Sequence, residues 1–216
     1  MEPKHFDFRL CLNPECRLRY PVPRGNRSGE RCPMCLSETI VVAESAAEPE
    51  GNTNPGQQRH ASTLEALLDN VRSALNVGSI YRTAEGHAFR HLYLCGISPT
   101  PENTEVRKTA LGAEHTVAWS AHRNAVELIS TLKQDGCTMW ALERTPKAKA
   151  IESVSLPDSK GSRVVLVVGN EQAGVDPGIL DMADEVLKLE MQGRKQSFNV
   201  AVAFAIAAHA LTHAKS

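Results

Sequence analysis

The sequence predicts an α/β fold built on a mostly parallel sheet, preceded by a small domain held by cysteines. Three observations predict it. From Ser62 onward, short β-rich or apolar runs alternate with longer runs of helical pattern, the order expected of strand-helix-strand units. The run 163–168 (RVVLVV) is apolar after its first residue, which marks a central strand buried on both faces. Four of the six cysteines fall within the first 35 residues, ahead of the stretch 43–60 (AESAAEPEGNTNPGQQRH), which has almost nothing to bury. The expected division is a domain over 1–42, a linker over 43–60 and a large domain over 61–216.

The amino-terminal piece is too short to be held by apolar burial, because domains below about 40 residues usually need a metal, a disulfide or a partner. Cys11 and Cys16 are separated by four residues, Cys32 and Cys35 by two, and fifteen lie between the pairs. Two such knuckles close a tetrahedral thiolate site, so the piece reads as a four-cysteine zinc ribbon with structural Zn2+. Pro14 and Pro33 suit the knuckle turns, and 25–29 (GNRSG) suits a loop between short strands. Arg17, Arg19, Arg24, Arg27 and Arg31 gather there with Tyr20, a composition that suits phosphate contacts and base stacking or an ordinary basic surface used for protein docking. Cys95 and Cys137, in or beside strand-like runs, read as core thiols.

In the large domain the apolar or β-branched runs 64–70, 91–95, 116–119, 138–143, 163–168 and 185–189 are predicted strands. The helical runs between and after them are 77–88, 104–111, 121–134, 177–181 and 199–213. The longest apolar run, 200–210, is Ala-rich and too short to span a bilayer, as suits a buried helix, so no membrane partner is expected. The chain opens without the basic flank and apolar segment of a secretory leader, which with unpaired cysteines predicts a reducing cytoplasm.

With 42% hydrophobic and 23% charged residues and a net charge of -1, the 216 residues exclude collagen-like, mucin-like and wholly disordered chains. The net charge also argues against indiscriminate polyanion binding. Its distribution softens that exclusion: 1–42 carry seven Lys/Arg against five Asp/Glu, whereas the linker carries one against three.

Polar and Gly-rich turns directly after strands are where an open α/β sheet places its ligand. Three stand out: 76–86 (NVGSIYRTAEG), where Asn76 precedes a helix that contains Arg82; 167–175 (VVGNEQAGV), a buried strand running into Gly-Asn-Glu; and 189–203 (LEMQGRKQSFNVAVA), a basic loop before Ser197 and Asn199 open a helix. Gly169 and Gly174 have the spacing of a phosphate-binding loop, but Val175 and Asp176 stand where Lys and Ser/Thr are required, which rejects nucleotide hydrolysis. No G-x-G-x-x-G follows the domain's first strand, so the dinucleotide fingerprint also fails. The eight histidines read as ordinary surface or core side chains; His87, His91 and His115 fall on different elements.

In this order the three segments resemble the motifs of the SpoU/TrmH class of SPOUT RNA ribose 2′-O-methyltransferases, over about residues 64–212. The matching residues are Asn76 with Arg82, Gly169 with Glu171, and Met191 with Gly193 followed by Ser197, Phe198, Asn199 and Val200; Phe198 replaces the usual Leu. The resemblance implies a carboxy-terminal trefoil knot, S-adenosyl-L-methionine held against Gly169, Leu189, Met191, Gly193 and Phe198, and a homodimer whose interface completes each site. It implies a tRNA or rRNA substrate, with Arg82 gripping the phosphate beside the target ribose or taking its proton, and Asn76 orienting Arg82. Glu171, Ser197 and Asn199 would hold the loops and the substrate. Because an arginine is effectively always protonated, phosphate positioning is the sounder role.

Taken singly, Asn76 and Ser197 also suit helix caps, Asn199 a satisfied buried amide, Glu171 a helix-dipole partner and Arg82 a surface ion pair. Arg194 and Lys195 suit RNA phosphate or solvent equally. The competing expectation is a catalytically idle RNA-binding or assembly protein of the same fold that docks through its ribbon.

Overall fold

The computed structural model describes residues 4–47, 62–157, 161–195 and 197–213. The chain forms two compact units, 1–55 and 56–216.

The first unit is an antiparallel sheet of β1 (Lys4–Cys11), β2 (Arg19–Pro23) and β3 (Thr39–Ala47) in the order β2-β1-β3. Its knuckles are alike. Arg17 N–H donates to Asn13 O at 2.9 Å and Leu36 N–H to Cys32 O at 2.9 Å, and the residue after each second cysteine is left-handed, with φ of 51° at Arg17 and 61° at Leu36. β3 runs five residues into the stretch expected to be linker, because 43–47 pair with β1 as far as Lys4↔Ala47. Composition hid this, since the strand's hydrogen bonds come from the backbone. The rest of the expected linker lies outside the described residues.

The second unit is a seven-stranded sheet, all neighbours parallel, in the order β6-β5-β4-β9-β7-β10-β8. Its strands are β4 (Thr63–Asp69), β5 (His91–Cys95), β6 (Ala118–His122), β7 (Cys137–Leu142), β8 (Lys149–Ala150), β9 (Arg163–Val168) and β10 (Glu185–Lys188). The helices are α1 (Ala74–Gly86), α2 (Thr104–Ala110), α3 (Ala125–Gln134), α4 (Pro177–Met182) and α5 (Val200–His213). β9 is central as predicted: Val164, Leu166 and Val168 join the core under α1, α2 and α5, and Val165 and Val167 join the opposite core under α3 and α4. Cys95 and Cys137 are buried in that second core. Among the described residues no helix is long and apolar enough to cross a membrane.

Three boundaries differ from the expected ones for local reasons. α1 begins three residues early, at Ala74, because Ser73 Oγ accepts from Asn76 N–H; Asn76 is therefore inside the helix and does not precede it. The predicted helix over 121–134 loses its first turn to β6, since Ala121 and His122 pair with Leu94 and Cys95, and Asn124 caps α3 instead. The strand expected at 116–119 correspondingly shifts to Ala118–His122, after a short 3-10 turn at Ala113–His115. The two-residue β8 escaped the sequence, being too short for any alternation to register.

Placement of the site follows from this order. β4 and β9 are neighbours at the centre, β7 lies beyond β9, and β10 beyond β7. The loops leaving their carboxyl ends therefore converge at one edge, the usual location of a ligand crevice in such sheets.

Candidate active site

Gly169 follows β9 directly, and the chain there turns back on itself. Asn170 N–H donates to Gly174 O and Gly174 N–H to Asn170 O, each at 2.9 Å, while Asn170 Oδ1 accepts from Gln172 and Ala173 N–H. Asn170 Nδ2 also donates to Asn70 O at 2.7 Å, which fixes the turn to the end of β4. A Cβ on Gly169 would lie 2.3 Å from the Gly174 carbonyl and Val175 N, so only glycine fits.

That turn presents Glu171 to the first turn of α1. Its Oε2 accepts from Arg72 N–H at 2.9 Å, and its Oε1 from Ser73 N–H at 3.0 Å and Asn76 Nδ2 at 2.9 Å. The carboxylate only accepts, so Asn76 must give it the amide nitrogen and turn its oxygen outward. Asn199 Nδ2 donates to that oxygen at 3.0 Å, which leaves Asn199 Oδ1 to cap α5 through Ala201 and Val202 N–H. One polar chain, Glu171 to Asn76 to Asn199, thus joins the loop after β9 to the starts of α1 and α5. Partial burial pushes the Glu171 carboxyl up, but the hydrogen bonds from Arg72, Ser73 and Asn76 outweigh it and hold the group below the ordinary glutamate value. Glu171 is therefore anionic at neutral pH.

Beside this chain lies a cavity of about 360 Å3, walled by Leu142, Val168, Gly169, Leu189, Met191, Ser197, Phe198 and Asn199 among others. Its mixed wall of apolar side chains and polar groups suits a cofactor that combines a flat heterocycle with a charged tail. Phe198 is 40% exposed at the cavity, a large apolar surface left for a ligand.

Of the residues the sequence singled out, the fold gathers Gly169, Leu189, Met191 and Phe198, and Glu171, Ser197 and Asn199, on one cavity, with Asn76 attached through its neighbours. Two stand apart. Gly193 is not in the wall, and a Cβ there would meet nothing within 4 Å. Arg82 is exposed and lines no part of the cavity, and its side chain makes no hydrogen bond or ion pair among the described residues. The expectation that Asn76 orients Arg82 does not hold within one chain: six residues along a helix are about 9 Å and a third of a turn apart, and both polar ends of Asn76 are already engaged.

Sequence reasoning missed Glu143 and Arg144, which follow β7 and also line the cavity. Glu143 Oε2 accepts from Val175 N–H at 2.9 Å, so this carboxylate braces the far side of the Gly169–Gly174 turn. The only available signal was their place after a strand. Asp69, at the end of β4, was missed too; burial raises its carboxyl pKa despite bonds from Asp176 N–H and Asn70.

In the first unit, one sulfur from each of Cys11, Cys16, Cys32 and Cys35 lies within 4.8 Å of all the others, with Cys11 and Cys35 at 3.4 Å and Cys16 and Cys32 at 3.7 Å. Four thiolates about 2.3 Å from a tetrahedral zinc stand about 3.8 Å apart. The donor set and its spacing therefore fit that ion, and none of the four is in a disulfide. Around them, Arg24 is spent on Asp7 and Glu44, and the Tyr20 hydroxyl is within 3.0 Å of the Gly29 and Arg31 carbonyls, so these two side chains brace the ribbon.

Comparison with known proteins gives a family match over residues 63–209, to the SpoU rRNA Methylase family. A tRNA (guanosine(18)-2′-O)-methyltransferase of Borreliella burgdorferi is 26% identical over 68% of this chain and 65% of its own length. The 23S rRNA (guanosine(2553)-2′-O)-methyltransferase RlmP of Bacillus subtilis is 25% identical over 86% of this chain and 74% of its own. Among solved structures, an AdoMet-bound rRNA methyltransferase of Sinorhizobium meliloti superposes with a TM-score of 0.63 at 25% identity, over 71% of this chain and 56% of that one.

Proposed function

The chain belongs to the SpoU rRNA methylase family, and from that premise we propose that it transfers a methyl group from S-adenosyl-L-methionine to a ribose 2′-hydroxyl of tRNA or rRNA. The observation that carries this reading is the Glu171–Asn76–Asn199 chain beside the cavity. A fold kept only for docking has no use for three polar side chains locked in one orientation at a ligand-sized hollow. The relatives' names and the AdoMet-bound neighbour support the substrate class and the cofactor.

When bound, the cofactor supplies an activated methyl on a sulfonium sulfur. Gly169, Leu189, Met191 and Phe198 would hold it through apolar contact and close backbone approach. The protein's remaining work is alignment and removal of the hydroxyl proton, because a ribose hydroxyl is a weak nucleophile at neutral pH. Glu171 fixes the start of α1, Asn199 fixes the start of α5, and Ser197, in the cavity wall, would contact the entering ribose. Arg82 grips the adjoining phosphate, and Arg194 and Lys195 add charge in the loop before α5.

The same reading includes a homodimer. Leu75 on α1 is 54% exposed, and Val202 and Ile206 on α5 are 47% and 37% exposed, on helices whose first turns are joined by the Asn76–Asn199 bond. Burying such side chains contributes about 25 cal/mol per Å2 of apolar area. Arg82 lies about one turn along from Ser79 and about two turns along from Leu75 on the same outward stripe of α1, so a second copy seated there would turn Arg82 toward its neighbour's cavity. The knot is likewise part of this reading: the chain leaves β10, outside β7, and returns to pack α5 against α1.

Methyl transfer from labelled S-adenosyl-L-methionine to total RNA tests the activity. Incorporation into ribose is expected; no incorporation into any RNA, together with no heat of cofactor binding, would overturn it. For the ribbon, Cys32→Ser is expected to release one zinc per chain and unfold the first unit while cofactor affinity stays near wild type. Loss of cofactor binding in that variant would show that the two units do not fold independently.

A further inference from the structure

At the end of α1 and α5 farthest from the cavity, three histidines that the sequence keeps apart come together. His87 is the residue that caps α1, and His209 and His213 are one helical turn apart on α5. One ring nitrogen of each lies within 4.8 Å of the others. The rings of His209 and His213 stack with centroids 4.2 Å apart, and His87 meets both edge-on at 5.7 and 5.9 Å.

The hydrogen bonds around the cluster decide which nitrogens are available. Thr212 Oγ1 donates its single proton to Ala208 O at 2.8 Å, so it accepts from His87 Nδ1 at 2.9 Å. His213 Nδ1 is 3.1 Å from His209 O, a carbonyl that can only accept. Both Nδ1 atoms are thus engaged by oxygen partners, with Thr212 Oγ1 also 3.1 Å from His213 Nδ1, which leaves Nε2 as the nitrogen for a metal. This is the arrangement of a metal-binding imidazole, whose outer N–H is held by a carbonyl or hydroxyl.

We propose that His87, His209 and His213 form a second metal site, for a borderline divalent transition ion such as Zn2+, that clips the carboxyl ends of α1 and α5 together. Three imidazole ligands select zinc, nickel or copper over magnesium and calcium, which take oxygen ligands. Nitrogens around a tetrahedral zinc stand about 3.3 Å apart, so His209 and His213, which are exposed, close inward by roughly an ångström on binding. Solvent completes the shell. The clip lies on the same two helices whose amino ends carry Asn76 and Asn199, so it steadies the pair that the candidate active site is built on.

The test uses the full chain and zinc alone. Zinc counted by mass spectrometry is expected at two equivalents per chain in wild type, one in His209→Asn/His213→Asn and one in Cys32→Ser. Cobalt substitution separates the sites without relying on any variant: only the cysteine site gives thiolate-to-metal charge-transfer bands, so a histidine site takes up a further equivalent of cobalt after those bands have saturated. In a Cys32→Ser background, added zinc should raise the unfolding temperature of the large unit and should not do so once His209 and His213 are replaced. The inference fails if the double histidine variant holds as much zinc as wild type, or if the wild-type protein binds no cobalt beyond the equivalent that saturates the thiolate charge-transfer bands. Neither result would bear on methyl transfer.

Discussion

Gly169→Ala is expected to weaken cofactor binding by about 100-fold or more while leaving the first unit folded. The added Cβ would sit 2.3 Å from the carbonyl of Gly174 and from Val175 N, all backbone atoms that no side-chain rotation can move aside. Shifting the turn outward breaks the paired Asn170–Gly174 hydrogen bonds, and the far side is braced: a Cβ on Gly174 would already be 2.4 Å from Glu143 Oε2. Forced overpacking of this kind costs about 1–3 kcal/mol. The displaced turn also carries Glu171, so the contacts to Arg72, Ser73 and Asn76 are lost together. Calorimetric titration with S-adenosyl-L-methionine should show affinity down by about 100-fold or more, equivalent to roughly 2.7 kcal/mol, with a lower denaturant midpoint for the large unit. Gly193→Ala is the control: with nothing within 4 Å of its Cβ, it should bind and unfold as wild type does. Wild-type affinity in Gly169→Ala would mean the cofactor binds elsewhere.

That contrast between two glycines shows where the sequence is informative. Hydrophobic pattern is a local property, so β9, β5 and the order of strands and helices could be read from the chain. Cysteine spacing is local too, and it identified the thiolate cluster. Hydrogen-bond partners are not local. Glu171 and Asn76 are 95 residues apart, and Asn199 is 123 from Asn76, so their joining was available only through resemblance to a family. Resemblance treated Gly169 and Gly193 alike, yet only Gly169 is pressed against backbone. Glu143 belongs to no glycine-rich turn and was invisible until β7 was placed beside β9. His87, His209 and His213 were hidden for the same reason, with 126 positions separating the first from the last.

Arg82→Ala should lower methyl transfer by at least about 100-fold, the usual cost of losing a substrate-positioning contact, with cofactor affinity and stability close to wild type. The structure supports the second half of that expectation directly. Arg82 is exposed and holds no partner among the described residues, and substitutions at such positions usually change stability by less than about 0.5 kcal/mol. The first half rests on what surrounds it. A cation with no ion pair, on an outward stripe with Leu75 and clear of its own cavity, is placed to serve a site completed by another molecule, either the RNA or a second copy of the chain. Sedimentation across a concentration series, compared with single-turnover transfer, separates these. If a second copy completes the site, turnover per chain falls as the dimer dissociates, and mixing Arg82→Ala chains with chains disabled at Gly169 restores transfer at mixed dimers. If Arg82 serves its own chain's site, the mixture stays inactive. Arg82→Lys keeps the charge but not the bidentate fork, so it should recover part of the rate. A base role would instead give Arg82→Ala an altered pH profile, because the ionisation limiting the wild-type rate would be gone. Undiminished turnover in Arg82→Ala would assign the step to another residue, with Arg194 and Lys195 next in line.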